Sequence, residues 1–137
     1  MKDIFSEGTL LSLDDLENMH ALKTGALIKA SICCGAILGN GSKKQIEQLK
    51  IYAKSIGLAF QVTDDILNVE GNPAVMGKAV GTDKNRKKST YPLIMGLKES
   101  KEFANKIVNN ALKAIEIFDN KADPLRAVAK YIIKRKK

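Results

Sequence analysis

The sequence predicts an all-α fold, and three observations carry that prediction. Apolar residues recur at three- and four-residue steps along most of the chain. No convincing run of two-residue alternation occurs, and β-branched residues are scattered rather than clustered. Serine, glycine and proline stand where helices would start and stop.

The first helix is expected from about residue 13. Ser12 can cap it, and Asp14, Asp15 and Glu17 suit the positive end of its dipole. Gly39, Asn40 and Gly41 stop it. From 26 to 38 it is apolar almost all round, which calls for burial on several sides. Ser42 opens a second helix, because S-K-K-Q has the spacing of a capping box. Ile46, Leu49, Ala53, Ile56, Phe60 and Leu67 mark its apolar stripe, to about residue 69. Positions 70 to 90 read as an irregular loop, with Gly71, Pro73, Gly77 and Gly81 among Lys78, Lys84, Arg86, Lys87 and Lys88. Pro92 suits a helix start, so a short helix is expected over 92–98. Phe103, Ile107, Ala111, Leu112, Ile115 and Phe118 predict a longer one. Pro124 opens the last, with Leu125, Val128 and Ile132 on one face. The final K-R-K-K suits its negative end.

With 137 residues and no linker, repeat or low-complexity tract, the chain reads as a single domain, 1–137. Its 45% hydrophobic content favours a folded chain over disorder, and its net charge of +8 favours an anionic partner. No charge-free run approaches the roughly 18 residues that span a bilayer. Acids stand in M-K-D-I-F-S-E where a signal peptide would be apolar, so a cytoplasmic location is expected. Cys33 and Cys34 are helix neighbours about 100° apart. They read as small buried apolar residues, not as a bridge or a zinc site.

One stretch resists a purely structural reading. In F-Q-V-T-D-D-I-L-N (60–68), Asp64 and Asp65 sit in the last turns of the second helix. Unpaired carbonyls already make that end negative, and adjacent carboxylates repel. Gln61, Asp64, Asp65 and Asn68 share one broad polar stripe of oxygen ligands. A hard cation such as Mg²⁺ would relieve both penalties. A solvated polar face, or pairing to nearby lysines, is the alternative. His20, Lys23 and Thr24 share a face leading into the apolar part of the first helix. Lys23 there needs a partner or must snorkel, and His20 reads as a hydrogen-bonded core histidine. The glycine-rich basic loop after the acidic pair could take phosphate oxygens on its lysines and backbone amides. Taken together, carboxylates, Mg²⁺ and converging lysines are suited to hold a diphosphate.

These residues also carry a family resemblance. H-x-x-K-T-G-A-L-I (20–28), G-L-A-F-Q-V-x-D-D-I-L-N (57–68), G-K (77–78) and K-S-T-Y-P (88–92) resemble, in order and spacing, the trans-isoprenyl diphosphate synthases, the bacterial short-chain farnesyl type in particular. The resemblance implies the C-terminal half of the isoprenoid synthase helical bundle. It implies a prenyltransferase that joins isopentenyl diphosphate head to tail with an allylic diphosphate, with Mg²⁺ as cofactor. It implies Asp64 and Asp65 as metal residues, Lys23, Lys78 and Lys88 as diphosphate ligands, and Thr24 and Gln61 as oxygens aimed at a developing cation. Arg135 is implied as a ligand of the second diphosphate. The family is usually homodimeric.

The chain departs from the family pattern in two ways. Asn68 stands where the family's second D-D-x-x-D motif ends in aspartate, and Lys87 replaces a common glycine. The first D-D-x-x-D motif and the upstream arginines and lysine for isopentenyl diphosphate have no counterpart here, since Asp14 and Asp15 read as helix N-terminal charges. The chain alone is therefore expected to be inactive, and either poorly folded or associated with itself or with an N-terminal half. Two other readings stand beside this one. One is a non-catalytic remnant that binds a partner. The other is a basic helical nucleic-acid binder, disfavoured by 5% aromatics and the lack of a recognition motif.

Overall fold

The computed structural model describes residues 12–71 and 89–135, the side chains of 20, 21 and 23 aside. In order it contains α1 (Leu13–His20), a π-helical turn (Ala21–Gly25), α2 (Ala26–Leu38), α3 (Lys43–Glu70), α4 (Tyr91–Met95), α5 (Leu97–Ala114), a 3-10 turn (Asn120–Ala122) and α6 (Asp123–Lys134). No strand occurs among the described residues, and the expected all-α class holds.

The expected caps form. The Ser12 hydroxyl accepts the Asp15 amide (3.2 Å) and donates to its carboxylate (2.7 Å). Ser42 and Gln45 make the reciprocal capping box, at 3.3 and 2.8 Å.

α3 is the axis of the packing. Tyr52, Ala53, Ile56, Ala59, Val62 and Ile66 bury one face of it. Against that face lie Ala104, Ile107, Val108 and Ala111 of α5, and Ala129 and Ile132 of α6. The alanines let the helix backbones approach closely. The buried seam is thus rotated from the expected one. Leu49 and Phe60 are half-buried flank residues, because α3 packs α5 and α6 on one side and α2 on another. The Tyr52 hydroxyl donates to the Leu125 carbonyl (2.8 Å) and ties α3 to the start of α6. Burial pushes its phenol up to about 12.

The single helix expected over 13–38 is interrupted by the π-turn at 21–25. Just there the π-turn meets α3. A Cβ on Gly57 would stand 3.0 Å from the Gly25 Cα. Two glycines let the backbones meet, and the wider turn takes up the extra residue. α2 also lacks the enclosure its composition suggested. None of its residues is buried, and Leu27, Ile37 and Leu38 are 73%, 60% and 83% exposed. Cys34 is exposed and Cys33 half-buried, so neither is the core residue expected, because α2 packs on α3 along one side only.

The helix expected over 92–98 ends at Met95. Gly96 (φ 92°) reverses the chain and starts α5, and its carbonyl accepts both the Ser100 amide (3.1 Å) and the Ser100 hydroxyl (2.6 Å). Positive φ suits glycine there, and a Cβ would lie 2.6 Å from a Glu99 carboxylate oxygen. Gly96→Ala should therefore lower unfolding stability by about 1–2 kcal/mol, measured by urea titration. Unchanged stability would show that the turn relaxes freely.

Candidate active site

The site is built on the last turns of α3. Asp64 and Asp65 are half-buried there, Gln61 is buried one turn earlier, and Asn68 is exposed one turn later. The two aspartates have different partners. Asp64 accepts a charge-assisted hydrogen bond and ion pair from Nη2 of Arg135, just past the end of α6. The same nitrogen donates to the Phe60 carbonyl (3.2 Å), and the guanidinium lies 4.3 Å from the Phe60 ring centroid. Asp65 accepts the Tyr91 amide (3.1 Å), the first residue of α4. A carboxylate at that helix start meets unpaired N–H groups and fixes α4 against α3. Burial, and then the charges of Glu17 and Asp65, push the Tyr91 phenol above its ordinary range.

Asp64 and Arg135 are thus brought together from 71 positions apart. Thr24 is half-buried on the π-turn, which packs against α3 beside Gly57. Gly57 precedes Asp64 by seven residues, so the K-T-G backbone stands about 10 Å down the α3 axis from the acidic pair. The Lys23 side chain and all of Lys78 and Lys88 lie outside the described residues. The backbone thus puts Lys23 and Thr24 within two helix turns of the carboxylates.

No cluster of three or more His, Cys, Asp or Glu side chains that could hold a metal occurs among the described residues. The stripe's own ligand atoms, the carboxylates of Asp64 and Asp65 and the amide oxygens of Gln61 and Asn68, are all oxygens and fit Mg²⁺ as it binds with substrate, through one or two carboxylates completed by phosphate oxygens and water, with Arg135 leaving Asp64. They do not form a closed protein cage. A larger cleft, about 590 Å³, lies away from the acidic pair, among Leu22, Lys29, Lys50, Ile51, Lys54 and Leu58. That cleft offers lysines and apolar walls but no paired acids.

Two partnerships were not legible in the sequence. Tyr91 as the partner of Asp65 left no signal, because a backbone amide is supplied by every residue but proline. Arg126 is the other. It was invisible among many basic residues, although D-x-x-R (123–126) has helix-pair spacing.

An all-α bundle carrying an acidic pair beside a K-T-G turn defines the class. The chain belongs to the polyprenyl synthetase family, whose family model matches residues 1–130. It is 42% identical over its whole length to the farnesyl diphosphate synthase of Micrococcus luteus, of which it covers 47%. It is 47% identical, over 97% of its length, to the large subunit 1 of a heterodimeric geranylgeranyl pyrophosphate synthase of Arabidopsis thaliana, covering 37% of it. Among solved structures it matches the Helicobacter pylori geranyltransferase complexed with magnesium and isoprenyl diphosphate. That match has a TM-score of 0.71 and 25% identity, covering 97% of this chain and 44% of that one. The chain spans less than half the length of these relatives. No helix among the described residues is long and apolar enough to cross a membrane.

Proposed function

We propose that the chain carries the second aspartate region of a Mg²⁺-dependent prenyltransferase that joins isopentenyl diphosphate to an allylic diphosphate. One observation carries the reading: the block G-L-A-F-Q-V-x-D-D lies on α3 with the K-T-G turn packed against the same helix. Asp64 and Asp65 would hold Mg²⁺, which when bound draws charge from a departing diphosphate. Lys23, Lys78 and Lys88 would take the oxygens of the allylic diphosphate, and Arg135 those of the second diphosphate once it leaves Asp64. Thr24 and Gln61 would present oxygens to the cation that forms as the carbon–oxygen bond breaks. Asn68 supplies an oxygen without charge, which weakens metal binding relative to an aspartate. A second copy or an N-terminal half would cover the apolar face of α2 (Leu27, Ile37, Leu38) and bring the remaining substrate groups. The reaction would take place in the cytoplasm.

The test is turnover with radiolabelled isopentenyl diphosphate and geranyl diphosphate. The purified chain alone should give no product. Mixing it with an N-terminal half of the Micrococcus luteus relative should restore condensation. Product from the isolated chain would overturn the half-enzyme reading.

A further inference from the structure

Asp64 already holds a cation that the chain itself supplies. Arg135 is the first residue past α6, and its extended backbone (ψ 145°) ends the helix there, its amide still bonded to the Tyr131 carbonyl (2.9 Å). From that point its side chain reaches back across α3. Nη2 donates to Asp64 Oδ1 and to the Phe60 carbonyl, and the guanidinium rests on the Phe60 ring. The arginine side chain is 12% exposed and that of Asp64 39%. The carboxylate is thus open to solvent on one side and neutralised by an internal charge on the other.

The seat of this arginine is incomplete. Its Nε is buried and has no hydrogen-bond partner among the described residues, and an unmet buried donor is costly. The helix does not depend on the contact either. Ala129, fully buried, and Ile132, 4% exposed, hold α6 in the core. The guanidinium can therefore leave while α6 stays, and the charge of Asp64 is what keeps it. A divalent ion on either oxygen of Asp64 reverses that balance, because it neutralises the carboxylate and repels the guanidinium beside it.

We propose that Arg135 and Mg²⁺ exclude one another at Asp64, so that the arginine closes the carboxylate until metal binds and is released when it does. This rests on Asp64 as a metal residue of the prenyltransferase proposed above. The consequence is an order: metal loading frees a guanidinium at the mouth of the site, where an anion can then take it. By linkage, the bond from Arg135 to Asp64 lowers metal affinity by the same factor by which the metal loosens Arg135.

Two measurements on the full chain, with MgCl₂ alone and no diphosphate, test the exclusion. In a calorimetric titration, Arg135→Gln removes the competing charge and should bind Mg²⁺ at least about fivefold more tightly than the wild type. In the unaltered chain, the side-chain ¹⁵N–H signal of Arg135 Nε should start displaced by the Phe60 ring. It should move to the position of a solvated arginine with the same Mg²⁺ dependence as the heat. In Asp64→Asn it should stay in place at every Mg²⁺ concentration. Equal or weaker Mg²⁺ binding by Arg135→Gln would overturn the exclusion. So would wild-type Mg²⁺ binding that leaves the Nε signal unmoved. Either result keeps Asp64 as a metal residue. Failure of both chains to bind Mg²⁺ would instead remove the metal from Asp64, and the exclusion with it.

Discussion

Asp64→Asn is expected to abolish the magnesium-dependent binding of inorganic diphosphate to the chain, with a loss of at least about a hundredfold, or ~3 kcal/mol. The substitution changes charge and little else. The amide oxygen can still accept the bond from Arg135 Nη2, and Phe60 still accepts the second. Asp64 is 39% exposed, so the loss of its ion pair should cost the fold less than ~1 kcal/mol. Binding and stability should therefore separate. The chain should unfold at nearly the wild-type temperature and give no heat when titrated with Mg²⁺ and diphosphate. Asp65→Asn should behave differently. Asp65 holds the start of α4 through the Tyr91 amide, so stability should fall along with binding. If both variants bind as the wild type does, the carboxylates serve only to fasten helices, and the diphosphate reading of α3 fails.

Much of this arrangement was legible in the sequence, and the parts that were not share a cause. The caps at Ser12 and Ser42 act within one turn, so four residues specify them. The length of α3 follows from an apolar period that needs no partner to be read. The orientation of its seam depends on which helices arrive from elsewhere. Phe60 was expected to pack and instead supports a guanidinium from the end of α6. The π-turn has no periodic signature. Its trace is the pair Gly25 and Gly57, 32 positions apart, whose meaning appears only when the helices touch. The acidic pair stands out in the sequence as anomalous for a helix C-terminus. Relief there comes from an arginine and a backbone amide, and neither can be located by spacing. The apolar run 26–38 asked for more neighbours than these helices provide, and α2 remains uncovered on its outer side.

The largest loss of stability from a single charged side chain is expected at Arg126. Where α5 ends, the chain turns through Ile115, Phe118 and Asp119 before α6 begins, and this largely exposed turn is anchored at both ends. Ile115 is fully buried and Ala122 is 7% exposed. The carbonyls of Ile115 and Phe118 are partly shielded from water there and need donors. Arg126 supplies them. Nη2 donates to the carbonyls of Ile115 (3.1 Å) and Phe118 (2.6 Å), and Nη1 to the Asp119 carbonyl (2.9 Å) and the Asp123 carboxylate (2.7 Å). One planar group thus closes the α5–α6 connection, a geometry that the single ammonium of a lysine cannot reproduce. Arg126→Ala should cost about 3 kcal/mol, since it strands two partly buried carbonyls at once and removes two further exposed bonds. Arg126→Lys should recover less than half of that. Denaturant unfolding at constant m-value measures both. A cost under ~1 kcal/mol for the alanine variant would mean that water reaches those carbonyls, and that the Tyr52 bond to Leu125, not Arg126, holds α6 in place.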